Sequence, residues 1–105
     1  MLATLIMFKP EQTPDWERLR NLFPQRVPIY AAVPGLRLKT WLIDEQQGEF
    51  GAFYVWEDQQ ALDDFLASEL FRSLPVIFGA PPVVRIFETP AMMEKGLAEL
   101  ATRTG

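Results

Sequence analysis

Two runs that alternate with period two, V-P-G-L-R-L-K-T-W-L-I-D from Val33 and F-G-A-F-Y-V-W up to Trp56, flank a polar tip, E-Q-Q-G-E. Such alternation about a glycine-bearing turn specifies an antiparallel β-hairpin. Pairing about the tip sets Ile43 opposite Phe50 and sorts the side chains onto two faces. Leu36, Leu38, Thr40, Leu42, Gly51, Phe53 and Val55 share one, which is expected to be ordinary core. Arg37, Lys39, Trp41, Ile43, Phe50, Ala52, Tyr54 and Trp56 share the other. That second face mixes large rings with cations. It is too apolar for water and too charged for a plain core, so what covers it decides the function.

The rest of the chain builds a sheet around this hairpin. Leu2 to Lys9 reads as a first strand stopped by Pro10. Thr13 offers an N-cap and Pro14 a first helical position, and Trp16, Leu19, Leu22 and Phe23 recur at helical spacing. Pro24 and Pro28 predict a kinked or two-piece helix from Pro14 to about Ala32, since an interior proline costs about 3 kcal/mol. After the hairpin, Asp58 caps a second helix with Ala61, Leu62, Phe65, Leu66 and Leu70 on its buried stripe, ended by Pro75 and Gly79. Pro82 to Thr89 forms a last strand, with Arg85 and Phe87 on one face. Met93, Leu97 and Leu100 suggest a C-terminal helical tail over residues 90–105.

The order β-α-β-β-α-β is the ferredoxin-like arrangement, an α+β fold with four antiparallel strands and both helices on one side. A chain of 105 residues is expected to form one such domain, 1–105. On the side away from the helices, Trp41, Phe50, Tyr54, Trp56 and Phe87 would then form a patch larger than soluble monomers tolerate. A second copy closing sheet against sheet is the simplest cover, so a homodimer is expected.

Composition narrows the chemistry. The chain has no Cys and no His, which excludes disulfides, thiolate nucleophiles, the usual zinc ligand and the proximal haem ligand. Serine occurs only at Ser68 and Ser73, so no Ser-His-Asp triad can be assembled. No glycine-rich phosphate loop occurs. No cofactor and no metal are therefore expected. A net charge of −4, with no Lys or Arg between Asp44 and Phe71, argues against nucleic acid and anionic membranes as partners. The apolar start M-L-A-T-L-I-M-F lacks the basic flank of a leader, and no apolar tract approaches a membrane span, so a cytoplasmic protein is expected.

The strings P-G-L-R-L-K-T-W (34–41), G-A-F-Y-V-W-E-D (51–58), A-L-D-D-F-L (61–66) and V-V-R-I-F (83–87) resemble the YdhR-type putative mono-oxygenases. These belong to the dimeric α+β barrel superfamily, which also holds the antibiotic-biosynthesis mono-oxygenases. The resemblance implies two ferredoxin-like subunits packed sheet to sheet, with a pocket between each sheet and its helices or loops. It places Lys39, Trp41 and Tyr54 on the pocket-bearing sheet and matches Arg85 to a basic position on the last strand. Haem-degrading relatives rely on a histidine, which this chain lacks. The resemblance leaves open whether Met7 and Lys9, or Ile6 and Phe8, face the pocket.

What the resemblance implies is cofactor-independent oxygenation of a small aromatic or phenolic substrate. A deprotonated phenol can pass an electron to oxygen itself, so the protein need only bind it, exclude water and stabilise the anion. Lys39, Tyr54 and Arg85 are the candidate catalytic residues: Lys39 or Arg85, with Arg37 as the alternative, stabilises the developing phenolate, Tyr54 donates or relays a proton, and a depressed pKa beside Arg37 offers Lys39 a second role as base. Arg37, Trp41, Phe50, Trp56 and Phe87 are the candidate substrate-binding residues. Two other readings stand beside it. One is a non-catalytic dimer, structural or binding a small hydrophobic ligand, with Trp41 and Trp56 as interface core and the cations paired with acids across the dimer. The other is an isomerase or dehydratase on the same fold.

Overall fold

The structure, a computed structural model, describes residues 1–95. Strand β1 (Leu2–Phe8) leads into helix α1 (Trp16–Ala31), then strands β2 (Leu36–Asp44) and β3 (Glu49–Trp56). Helices α2 (Gln59–Leu66) and α3 (Glu69–Phe78) follow, and β4 (Pro82–Glu88) closes a four-stranded antiparallel sheet of order β2-β3-β1-β4. This is the ferredoxin-like α+β fold, with Ile43 opposite Phe50 as the alternation requires. Most of the expected tail helix, including Leu97 and Leu100, lies outside the described residues.

Helix α1 departs from its expected form. Asp15, not Thr13, is the N-cap, its carboxylate accepting from the Arg18 N–H at 3.1 Å, and the helix runs unbroken through Pro24 and Pro28. The two prolines, four residues apart, share the solvent face. The carbonyls they leave without an amide donor, those of Arg20 and Pro24, belong to exposed residues where water can satisfy them. The opposite face keeps Leu19, Phe23 and Tyr30 buried, and this packing holds the helix together. The second helical segment is two helices, with Ser68 capping α3 and Gly79 ending it in the left-handed conformation.

The faces of the hairpin are the reverse of the expectation. Phe50, Ala52, Tyr54 and Trp56 do not look away from the helices. They are buried beneath them, against Leu19, Phe23 and Tyr30 of α1, Leu62 and Phe65 of α2, and Leu74 of α3. Leu38, Thr40, Leu42, Gly51, Phe53 and Val55 lie on the bare face instead. Alternation fixes which residues travel together, but it cannot say which set the helices will cover when both are apolar. The helices take the set with the greater aromatic area, each ring burying about 150–250 Å². Trp56, 0% exposed, satisfies its indole by donating from Nε1 to Thr4 Oγ1 at 3.0 Å.

A bulge between Leu36 and Leu38 makes a further correction. It turns Leu36 onto the helix side, opposite Trp56, and leaves Arg37 exposed with its Nη1 4.0 Å from Met1 Sδ. Arg37 therefore does not share the face of Lys39. Strand β1 turns Ile6 and Phe8 toward the helices, and Ala3, Leu5 and Met7 toward the bare face.

Candidate active site

Lys39 and Trp41 stand two residues apart on the helix side of β2, and Tyr54 lies directly across from Lys39 on β3. Tyr30, at the last turn of α1, comes down from above. The four side chains form one cluster. Lys39 Nζ sits 3.0 Å from the centre of the Tyr30 ring and 4.5 Å from those of Trp41 and Tyr54, and it donates to Tyr54 Oη at 3.0 Å. The rings brace one another: Tyr30 meets Trp41 edge-on at 5.7 Å and Tyr54 at 6.3 Å, and Tyr54 stacks on Trp56 at 5.6 Å.

Among the described residues no carboxylate pairs with this amine. The one salt bridge among the described residues joins Arg20 to Glu45, on the surface. The charge that acts on it is another cation, Arg26, one turn before Tyr30, with its guanidinium 5.8 Å from the Tyr30 ring and 6.0 Å from that of Phe78. Burial and the Arg26 charge lower the Lys39 pKa from its ordinary value to about 6. The ring faces pull the other way, toward the ammonium. Loss of hydration is the largest cause of the lowering, and it favours the neutral amine. Burial, helped by the Tyr30 phenol beside it, raises the Tyr54 pKa well above the ordinary phenol value. Tyr54 is thus a hydrogen-bond donor and not a base.

The amine borders a cavity of about 20 Å³, bounded also by Phe23, Arg26, Tyr30, Trp41 and Phe78. That is about the room one water needs. A much larger groove of about 660 Å³ lies on the far side of Phe50 and Phe78, which line both spaces, and its rim carries Lys9, Glu11, Asp15 and Arg18. The groove has the volume of a ligand site but no unusual chemistry; the small cavity has the chemistry but no room. The two rings are the wall between them.

The structure thus brings Lys39, Trp41 and Tyr54 together, with Phe50 at the edge. Trp56 lies behind Tyr54, in the core and away from the cavity. Arg85 and Phe87 stand on the opposite face of the sheet, opposite Leu5 and Ala3, with the Arg85 guanidinium 4.8 Å over the Phe87 ring. Arg85 cannot reach Lys39 within one subunit. Arg26, Tyr30 and Phe78 were not singled out in the sequence. The spacing Phe23, Arg26, Tyr30 was the available signal, and the prolines between them obscured it.

The comparisons with known proteins agree with the fold. No curated protein matches the chain. Among solved structures, SnoaB, a cofactor-independent oxygenase from Streptomyces nogalater, superposes with a TM-score of 0.65 at 16% identity, over 90% of this chain and 97% of that one. A monooxygenase from the gene ActVA-Orf6 of Streptomyces coelicolor, in complex with nanaomycin D, gives 0.65 at 17%, over 90% and 92%. A putative antibiotic biosynthesis monooxygenase from Deinococcus radiodurans gives 0.68 at 15%, over 91% and 99%. At these identities the likeness shows the fold. The model of the family described as "Putative mono-oxygenase ydhR" matches residues 8–99, and the chain belongs to that family.

Proposed function

We propose that the protein is a cofactor-independent mono-oxygenase of small phenols, working as a homodimer. The observation that carries the reading is the Lys39 amine, desolvated among three rings, beside a second cation and without a carboxylate partner. A phenol held against Trp41 and Tyr30 gives its proton to Lys39. The phenolate passes an electron to dioxygen, and the resulting radical and superoxide combine into a bound peroxide. Loss of water, using the proton held on Lys39 and a ring hydrogen, leaves a quinone. Dioxygen is the oxidant and the substrate supplies the electrons, so no separate reductant is required. Arg26 and the Lys39 ammonium stabilise the anions along the way, and Tyr54 donates a hydrogen bond.

A ring-sized substrate needs more room than 20 Å³, so Phe78 and Arg26 must swing toward the groove to admit it. The dimer is supported by the bare sheet face, where Val83, Leu38 and Phe87 are 65%, 44% and 37% exposed. Arg85 and Phe87 belong in this reading to that face.

Oxygen uptake on adding hydroquinones or anthrone-like phenols, with no flavin or metal present, tests the proposal. Lys39→Met should cut the rate by about 100-fold or more, the usual scale for removing a general base. The tight packing of Tyr54 and Phe50 favours a second reading, a dimer that binds a hydrophobic ligand without turnover. Stoichiometric binding with no oxygen consumed would select it.

A further inference from the structure

From the placement of its amine we infer that Lys39 is a covalent carbonyl-binding site, able to capture a small aldehyde or ketone as an imine. The inference does not rest on the mono-oxygenase reading, because imine formation consumes no oxygen.

A nucleophilic lysine needs a free electron pair, a dry surrounding and no carboxylate to fix it as a salt bridge. A neighbouring cation supplies a further push. Lys39 is half-buried among rings, with a cation beside it and no carboxylate partner among the described residues. The groups facing it are Arg26 and Tyr30 from α1 and Tyr54 from β3, and no ion pair restrains it. Desolvation and Arg26 favour the unprotonated form, as the lowered pKa records. Tyr54 Oη, 3.0 Å from Nζ, is within reach of the oxygen of a carbonyl attacked there, and it keeps its proton.

The step balances without an external reagent. Nζ attacks the carbonyl carbon, a C–N bond forms, and the C=O electron pair moves to oxygen, which takes a proton originally on nitrogen. The carbinolamine then loses that oxygen as water, with the second nitrogen proton, as C=N forms. Nothing is oxidised or reduced. The approach is from the groove, past Phe78, whose ring closes the cavity beside the amine.

The chain contains only three lysines, Lys9, Lys39 and Lys95, so the test has internal controls. The native protein is treated under nitrogen at pH 7 with acetaldehyde or benzaldehyde and sodium cyanoborohydride, and alkylation of each lysine is followed by peptide mass spectrometry. An ordinary lysine is less than about 0.1% unprotonated at that pH. Lys39 of the folded chain should therefore be modified at least about tenfold faster than the same lysine in the urea-unfolded chain, and the preference for it over the other lysines should vanish on unfolding. Phe78→Ala, or Phe78→Leu if the alanine variant loses its native circular dichroism, should speed Lys39 alkylation, most for benzaldehyde. Alkylation of Lys39 no faster than Lys9 or Lys95, in both the wild type and the folded Phe78 variant, overturns the inference. Because oxygen is absent, a failure here bears on the Lys39 amine and not on oxygen chemistry, which oxygen uptake tests separately, and a failure of oxygen uptake leaves this inference standing.

Discussion

At the scale of the residue, Lys39 makes the fold pay for its chemistry. Its pKa is about 6 in the folded chain and about 10.4 when unfolded. Below pH 6 both states carry the proton, and the cost of burying the ammonium is complete. Between about 6 and 10 the unfolded chain holds a proton that the folded one has released, so the contribution of this group to stability rises with pH. Above that window neither state is protonated and the cost is gone. Lys39→Met keeps the side-chain volume and removes the titration. Thermal unfolding should show the variant most stabilised over wild type near pH 5–6, with the gap narrowing toward pH 10. A gap that widens with rising pH would contradict a buried, uncompensated amine. Alternation was enough to put Lys39, Trp41 and Tyr54 on one face. It could not reveal Arg26 and Tyr30, which arrive from a different element, or that the bulge at Arg37 removes that cation from the group.

At the scale of the element, the joints matter as much as the segments. Helix α1 survives its two prolines because both stand on the wet side. Pro24→Ala should give Arg20 its missing amide partner and raise stability by about 1–3 kcal/mol, the lower end reflecting the stiffening that proline also gives the unfolded chain. Urea denaturation measures it. Gly35 is the reverse case. It links α1 to β2 at a φ of +76°, accepts from the Glu57 N–H at 2.9 Å, and a Cβ there would come 2.4 Å from that of Ala61. Gly35→Ala should therefore cost about 1–3 kcal/mol in the same assay and loosen the start of the strand that carries Lys39. A turn at Pro34-Gly35 is legible in the residue types themselves, which allow little else. The course of α1 is not, because a proline penalty depends on whether the freed carbonyl meets water, which is a tertiary fact.

At the scale of the whole molecule, the sheet has one face filled by helices and, among the described residues, one without them. The order of elements was legible, since each switch of period and each cap is local. The choice of face was not, because both faces of the hairpin are rich in apolar residues and only the packed helices discriminate between them. The correction changes how the homodimer must be tested. Trp56 is 0% exposed within one subunit and donates to Thr4, so shielding of its fluorescence from a water-soluble quencher says nothing about association. The informative residues are Leu38, Val83 and Phe87, all exposed on the bare side, alongside Leu42 and Phe53. If a second copy covers them, the chain should sediment at micromolar concentration with twice its 12.0 kDa mass. Val83→Lys, on the edge strand β4, should shift it toward the monomer by placing unpaired charges in an apolar contact. The variant should keep the native aromatic circular dichroism, because the Lys39 cluster lies on the other side of the sheet. A wild-type chain that sediments as 12.0 kDa would leave the apolar face open to water and remove the dimer from the proposed function. The Lys39 cavity, built within one subunit, would stand unchanged.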